Sequence, residues 1–403
     1  MRRKQSWLYS CPREVTLPDE VTLGSENKGD CHIRLAPADS LAIEIHTSNP
    51  DLFVPGIEAV VTETLGGLGL AQAKVEITEQ GALDYVIAAR VEAAARTMFP
   101  DLPPLRPQVE RSPSERDRLR RTRLYAPGNN PRVLAGVELH GADCVLLDLE
   151  DSVPPAEKGA ARILVKHLLA TVNFPEVWVR INPLATYGMD DLAEVMLGRP
   201  HGICLPKAES AEDVRGLAAE LSRLESELGY EPGRTLIMPI IETGKGVLHA
   251  EEIATADPRV AVIAFGAEDY TRDVGARRTH DALLYPRSMI VAAAATAGIQ
   301  ASDTVYANLE DEEGLIAETE HIRDLGFVGK GVINPRQIGP IHSVFSPSPE
   351  EIEEAKKIVA AAEEAEKQGI GAIAIGGKMI DKPVLERARR TLRLAGKIKE
   401  GVE

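Results

Sequence analysis

The chain is poor in cysteine and in net positive charge, and it has no long apolar run. Its four cysteines, Cys11, Cys31, Cys144 and Cys204, form no CxxC pair and keep no zinc-like spacing to histidine. Cys144 and Cys204 fall inside apolar runs, where cysteine acts as a small core residue, so a reducing cytoplasm is the simplest compartment. A net charge of −16 argues against a general nucleic-acid or anionic-membrane binder, which needs a basic face. No stretch is long and apolar enough to span a bilayer, and no apolar signal core follows the basic start MRRKQSW. What is present is an ordinary globular composition, 44% hydrophobic and 27% charged. At 403 residues it suits one large domain with appendages, or two to three domains.

Residues 1–28 are polar and punctuated by proline and glycine, and they read as a flexible lead-in. CHIRLAP and LAIEIHTS then alternate as half-exposed strands do, and a turn around Pro37–Ser40 predicts a hairpin between them. A helix over Pro55–Leu68, a strand in AKVEITEQ and a helix over Leu83–Met98 complete a small α+β module across 29–99. Residues 100–120, rich in proline and charge, read as a linker.

A repeating beat follows. Strand-like runs are expected at Leu124–Ala126, Cys144–Leu149, Val177–Ile181, Ile203–Leu205, Leu236–Ile241, Val260–Phe265, Thr304–Ala307 and Gly331–Ile333. Helical patterns separate them, and one over Pro349–Glu366 follows the last. Eight β-α units in about 250 residues predict a (β/α)8 TIM barrel over 121–345. A doubly wound sheet is the competing fold, but no G-x-G-x-x-G fingerprint follows the first strand. Residues 346–403 are surplus and read as a C-terminal helical lid, with a hairpin-like turn before the last helix.

Chemistry in such a barrel gathers where the strands end. Glu242 follows one apolar run and Glu268-Asp269 the next, one β-α-β step apart. An unpaired carboxylate there is too costly to bury as core. Two converging acids suit a hard divalent cation such as Mg²⁺, whereas the plainer reading is strand-end acids facing solvent. Glu150 and Asp151 end the second strand, Arg180 the third, Lys207 the fourth; the seventh is expected to end near Asn308. Arg180 suits bidentate binding of a substrate carboxylate, or else a salt bridge to Glu150 or Asp151. Asp381, just before Pro383, reads on spacing as a helix N-cap. The arginines at 118, 120, 121 and 123 read either as solvated linker charge or as a phosphate contact.

Eight segments fall in a familiar order: RRTRLYAPGNNPR (120–132), VLLDLEDSVPPAEK (145–158), VRINP (179–183), PKAES (206–210), PIIETGKGVL (239–248), FGAEDYTRDVG (265–275), GKGVINPRQ (329–337) and GGKMIDKPV (376–384). From about Arg120 onward the chain resembles the HpcH/HpaI aldolase and citrate lyase family, in the wording of its citrate lyase β subunits. The module over about 20–98 resembles the acyl carrier, or γ, subunit of citrate lyase, through GDCHIRLAP (29–37) and GALD (81–84).

The resemblance implies a Mg²⁺-dependent carbon–carbon lyase that cleaves a (3S)-citryl thioester. Glu242 and Asp269 match metal ligands, and Arg180 the arginine that holds the keto-acid carboxylate. Glu150 and Asp151 match acids on the metal's water ligands, with Glu150 near the catalytic step. Arg121 and Lys158 match residues near the phosphate-bearing arm of a CoA thioester. Asp381 matches a lid acid that reaches a neighbouring subunit's site as general acid/base, implying a homotrimer or hexamer. A transferase α subunit is an expected partner. The carrier's serine position is taken here by Lys28, with Ser25 three residues earlier. Either a phosphopantetheine-type group is attached at Ser25, or the module is structural and the lyase uses free CoA thioesters; Lys28 favours the second. A citramalyl- or malyl-CoA lyase shares the same machinery. A non-catalytic scaffold is the reading from another class, and keeping Arg180, Glu242, Asp269 and Asp381 together counts against it.

Overall fold

The computed structural model describes residues 18–367, 373–375 and 378–400, and it divides into two compact units between Arg106 and Pro107. The segment 1–17 of the expected lead-in, including Cys11, lies outside the described residues.

In the first unit, β1 (Val21–Gly24), β2 (Cys31–Ala36), β3 (Ala42–His46) and β4 (Lys74–Glu79) form a sheet of order β1-β2-β4-β3. Helices Pro50–Gly67 and Asp84–Met98 accompany it. Ile33, Leu35, Val75 and Ile77 are fully buried, as the alternation requires. Two expectations are corrected. The lead-in does not run to residue 28, because Val21–Gly24 pairs antiparallel with β2. β2 and β3 form no hairpin: both pair with β4, antiparallel and parallel respectively. Alternation shows which face of a strand is apolar but not its partner, and the crossover helix Pro50–Gly67 lets β3 join parallel.

In the second unit, β5 (Thr122–Pro127), β6 (Cys144–Asp148), β7 (Val177–Arg180), β8 (Gly202–Leu205), β9 (Leu236–Ile241), β10 (Val262–Phe265), β11 (Gln300–Asp303) and β12 (Gly329–Val332) close into a barrel. Neighbouring strands are parallel throughout, and β12 returns to β5. Strands buried on both faces read as continuous apolar runs, which is why most were legible.

The seventh strand departs from that rule. It is Gln300–Asp303 rather than Thr304–Ala307, and it ends before Thr304 rather than near Asn308. Its sequence, QASD, does not look buried, yet Asp303 is fully enclosed. Arg287 donates to it at 2.9 Å and Lys330 at 3.1 Å, so ion pairing compensates the charge inside the wall. After β12 the chain first forms a short helix, Ile338–Phe345, which the sequence reading passed over. Helix Pro349–Lys367, the antiparallel pair Ile373–Ile375 and Lys378–Ile380, and helix Lys382–Glu400 follow, with the strand pair where a hairpin-like piece was expected before the last helix.

Residues 107–120 form no strand or helix, yet they are not a solvated linker. Arg111 donates through Nη1 to the carbonyls of Gly198 and Arg199, and through Nη2 to those of Leu169 and Val172. It thereby satisfies carbonyls where helices end. Arg120, 3% exposed, pairs with Glu176 at 2.8 Å. Proline and charge look alike in a flexible tether and in a strap that docks on backbone carbonyls.

Candidate active site

The ends of the barrel strands surround a cavity of about 440 Å³, within the range of small-molecule sites. Asp148 closes β6 and Arg180 closes β7; Glu242 follows β9, and Asp269 lies in the first turn of helix Ala267–Asp273 after β10. All four line the cavity, with Tyr125 and Phe265 as apolar wall.

Arg180 is held on several sides. Its Nε donates to Asp148 Oδ1 at 2.6 Å and its Nη2 to Oδ2 at 2.8 Å, a bidentate pair. Nη1 stands 2.8 Å from Glu150 Oε2 and 3.5 Å from Asp151 Oδ2. Burial opposes its charge, but the hydrogen bonds and charge of Asp148, joined by Tyr125 and Glu150, together outweigh burial and keep the guanidinium firmly protonated. Burial likewise opposes the Asp148 carboxylate, and the bonds and charge of Arg180, with hydrogen bonds from Ser152 and Glu150, together reverse that and hold Asp148 below the usual range. Sequence reasoning missed Asp148. The signal was available: in LLDLED it shares a face with Leu146 and Cys144, two and four residues before it.

Glu150 is 4% exposed and binds the Lys207 ammonium as well as Arg180, with burial raising its pKa. Asp151 stands at the rim, its side chain 56% exposed. Glu242, 2% exposed, accepts the Lys207 amide at 2.7 Å on Oε1. Burial, then the charges of Glu150 and Asp269, push its pKa up to about 8. Among the described residues no cation pairs with it. A buried carboxylate facing a second acid across one cavity, without a counter-ion, fits a hard divalent cation that Glu242 and Asp269 would hold.

Several expected residues sit elsewhere or do other work. Arg121 precedes β5 and so lies at the opposite end of the barrel, bonded to Asp143 at 2.9 Å and to Ser346. The motif placed it beside the strand without telling which end. Lys158, 7% exposed, donates to the carbonyls of Leu149 at 2.9 Å and Glu150 at 3.0 Å; it fastens the loop after β6 rather than offering a free cation. Arg123, 3% exposed, lies inside the barrel 5.5 Å from the Tyr125 ring centre, so neither it nor Arg120 is solvated charge. Asp381 is exposed and accepts the Val384 amide at 3.0 Å, the N-cap that its spacing suggested. It does not line the cavity of its own chain.

In the first unit, Ser25 lies in the β1–β2 loop and donates to Asp30 Oδ2 at 2.8 Å. Asp30 is bound by Arg90 at 3.0 and 3.1 Å, and both are buried. Gly24 opens this turn at φ +84°, where a Cβ would strike the Cys31 carbonyl. Glu26, Asn27 and Lys28 are exposed and loop out, which leaves Ser25 beside Asp30.

Comparison with known proteins accords with this layout. The family described as HpcH/HpaI aldolase/citrate lyase matches residues 121–335, over half of the chain. That described as malonate decarboxylase delta subunit (MdcD) matches residues 19–98. Citrate lyase subunit beta of Leuconostoc mesenteroides subsp. cremoris is 44% identical over 284 residues, 69% of this chain and 94% of the relative. The mitochondrial citramalyl-CoA lyase of Homo sapiens is 35% identical, covering 70% and 87% respectively. Among solved structures, the protein CitE of Mycobacterium tuberculosis in complex with magnesium, acetoacetate and coenzyme A is similar with a TM-score of 0.58 and 32% identity, over 70% of this chain and 100% of that one.

Proposed function

The chain belongs to the HpcH/HpaI aldolase/citrate lyase family and is a carbon–carbon lyase, and from this we propose that it cleaves a (3S)-citryl thioester to oxaloacetate and an acetyl thioester. The observation that carries the reading is the buried Glu242, set across one cavity from Asp269 and beside a fixed Arg180. Magnesium, bound by those two acids, supplies a Lewis acid that lowers the pKa of the substrate hydroxyl. Arg180 holds the adjacent carboxylate through Nη1, while Asp148 locks the plane of the guanidinium and makes the orientation specific. Glu150 keeps Lys207 as partner when Nη1 turns to substrate. Transfer of the hydroxyl proton to a water beside Glu150 lets the bond between the carbinol carbon and the thioester methylene break. The carbinol becomes the ketone of oxaloacetate, and the electron pair passes to the thioester as an enolate. Asp381 of a neighbouring copy protonates that enolate at carbon, which makes the working unit an oligomer, a homotrimer or hexamer by the family resemblance. Three buried free thiols, Cys31, Cys144 and Cys204, suit a reducing cytoplasm.

The relatives named above include both citryl and citramalyl enzymes; the higher identity to citrate lyase β supports the citryl reading. The test is oxaloacetate release from citryl-CoA by the full chain with Mg²⁺, and again with excess EDTA. Metal-dependent release supports the reading. Release of pyruvate from citramalyl-CoA, with none of oxaloacetate from citryl-CoA, overturns it in favour of the smaller substrate.

Ser25 is the attachment point for a phosphopantetheine-type group. The hydroxyl held by a buried, arginine-bound carboxylate supports this reading over a purely structural module. Intact mass of the chain from its native host is expected to show the adduct, and Ser25→Ala to lack it. An unmodified native mass refutes the assignment.

A further inference from the structure

The turn after β8 carries an anomaly. Lys207 has φ +50°, one of two non-glycine residues in the left-handed region among the described residues. That conformation is uncommon for a lysine and is kept only where its surroundings enforce it. Its consequence is visible in the amide, which donates to Glu242 Oε1 at 2.7 Å, from β8 across to the end of β9. On the far side, Gly266 follows β10, where a Cβ would stand 2.5 Å from Glu242 Oε2. Its φ of −111° is open to any residue, so space rather than backbone freedom calls for glycine there.

We propose that Lys207 is the positioning residue of the cation site and acts through its backbone. The left-handed turn aims the amide at Oε1, fixes the Glu242 carboxylate, and leaves Oε2 as the oxygen free for the cation, in the space that Gly266 keeps open. The ammonium does separate work in pairing with Glu150. This rests on the reading of Glu242 and Asp269 as a Mg²⁺ site.

Backbone and side-chain roles separate by substitution. Lys207→Gly and Lys207→Asn drop the ammonium but tolerate positive φ. Lys207→Val drops the same ammonium and resists that conformation. Mg²⁺ is titrated calorimetrically into each full-length variant, with circular dichroism as the check on folding. The Gly and Asn variants are expected to bind within about 3-fold of wild type, and the Val variant about 10–100-fold more weakly, as for lost support of a metal ligand. Equal weakening in all three assigns the effect to the ammonium and overturns the proposal, as does unchanged binding in a folded Val variant. Should Val not fold, Lys207→Ala, which also drops the ammonium and disfavours positive φ, is read by the same criteria in its place, and weak binding by both Gly and Asn overturns the proposal alone. A wild type that binds no Mg²⁺ sinks the metal-site reading instead.

Discussion

Asp269→Ala is expected to reduce Mg²⁺-dependent turnover by at least about 10³-fold, the several kcal/mol that a Lewis acid contributes, while leaving the fold intact. Asp269 can be removed without structural cost because its side chain is 21% exposed and its partner, Arg272, sits one turn along the same helix. Glu242→Gln is the informative companion. Burial and the neighbouring acids raise the Glu242 pKa to about 8, so in the absence of a cation the ionised form is disfavoured in the folded state. The neutral isostere is therefore expected to keep or raise Tm in EDTA. Wild-type Tm should rise with Mg²⁺ by mass action, and neither variant should show that rise. Full turnover in Asp269→Ala, or a Mg²⁺-induced rise in Tm in both variants, removes these acids from the metal site.

The contrast between these acids and their neighbours shows where a sequence speaks about its own site. Glu242 was legible because an acid directly after LIMPII stands where a buried strand emerges, a place too costly for an unpaired charge in the core. The barrel was legible for a related reason, since parallel strands covered on both faces leave unbroken apolar runs. β11 was not, because Asp303 is carried inside by Arg287 and Lys330, which are remote in sequence. Asp148 hid among three closely spaced acids, and only the register of β6 turns it inward. Arg121 was misplaced because motif proximity carries no strand direction. The support from Lys207 was beyond reach for a different reason: a backbone amide has no letter in the sequence, and nothing in PKAES announces a positive φ.

Arg180 is where fold and function meet, and Arg180→Met should damage both. Asp148 is 2% exposed and its carboxylate is held by two guanidinium bonds; removing them leaves a buried unpaired charge, a loss of about 3–5 kcal/mol at neutral pH. The pH dependence follows from the sign of the Asp148 shift. In the wild type its folded pKa is depressed, so the stability from pairing is present above the unfolded value of about 3.9 and is lost as pH falls through the folded one. In the variant, burial acts on Asp148 against only the amides of Glu150 and Ser152, and as the largest influence it raises the folded pKa, so destabilisation grows as pH rises from the unfolded value. The Tm gap between wild type and Arg180→Met is therefore expected to be wide at pH 7 and to narrow toward pH 4. A gap independent of pH would mean that the arginine acts by packing on Tyr125, 5.5 Å away, and not by pairing with Asp148. Arg180→Lys keeps the charge but lacks the fork, so it should recover part of the stability and little of the oxaloacetate affinity. Calorimetric titration of oxaloacetate in the presence of Mg²⁺ measures that second loss separately. If the lysine variant binds oxaloacetate as tightly as wild type, a single point charge suffices, and the bidentate orientation that Asp148 imposes is not what the reaction requires.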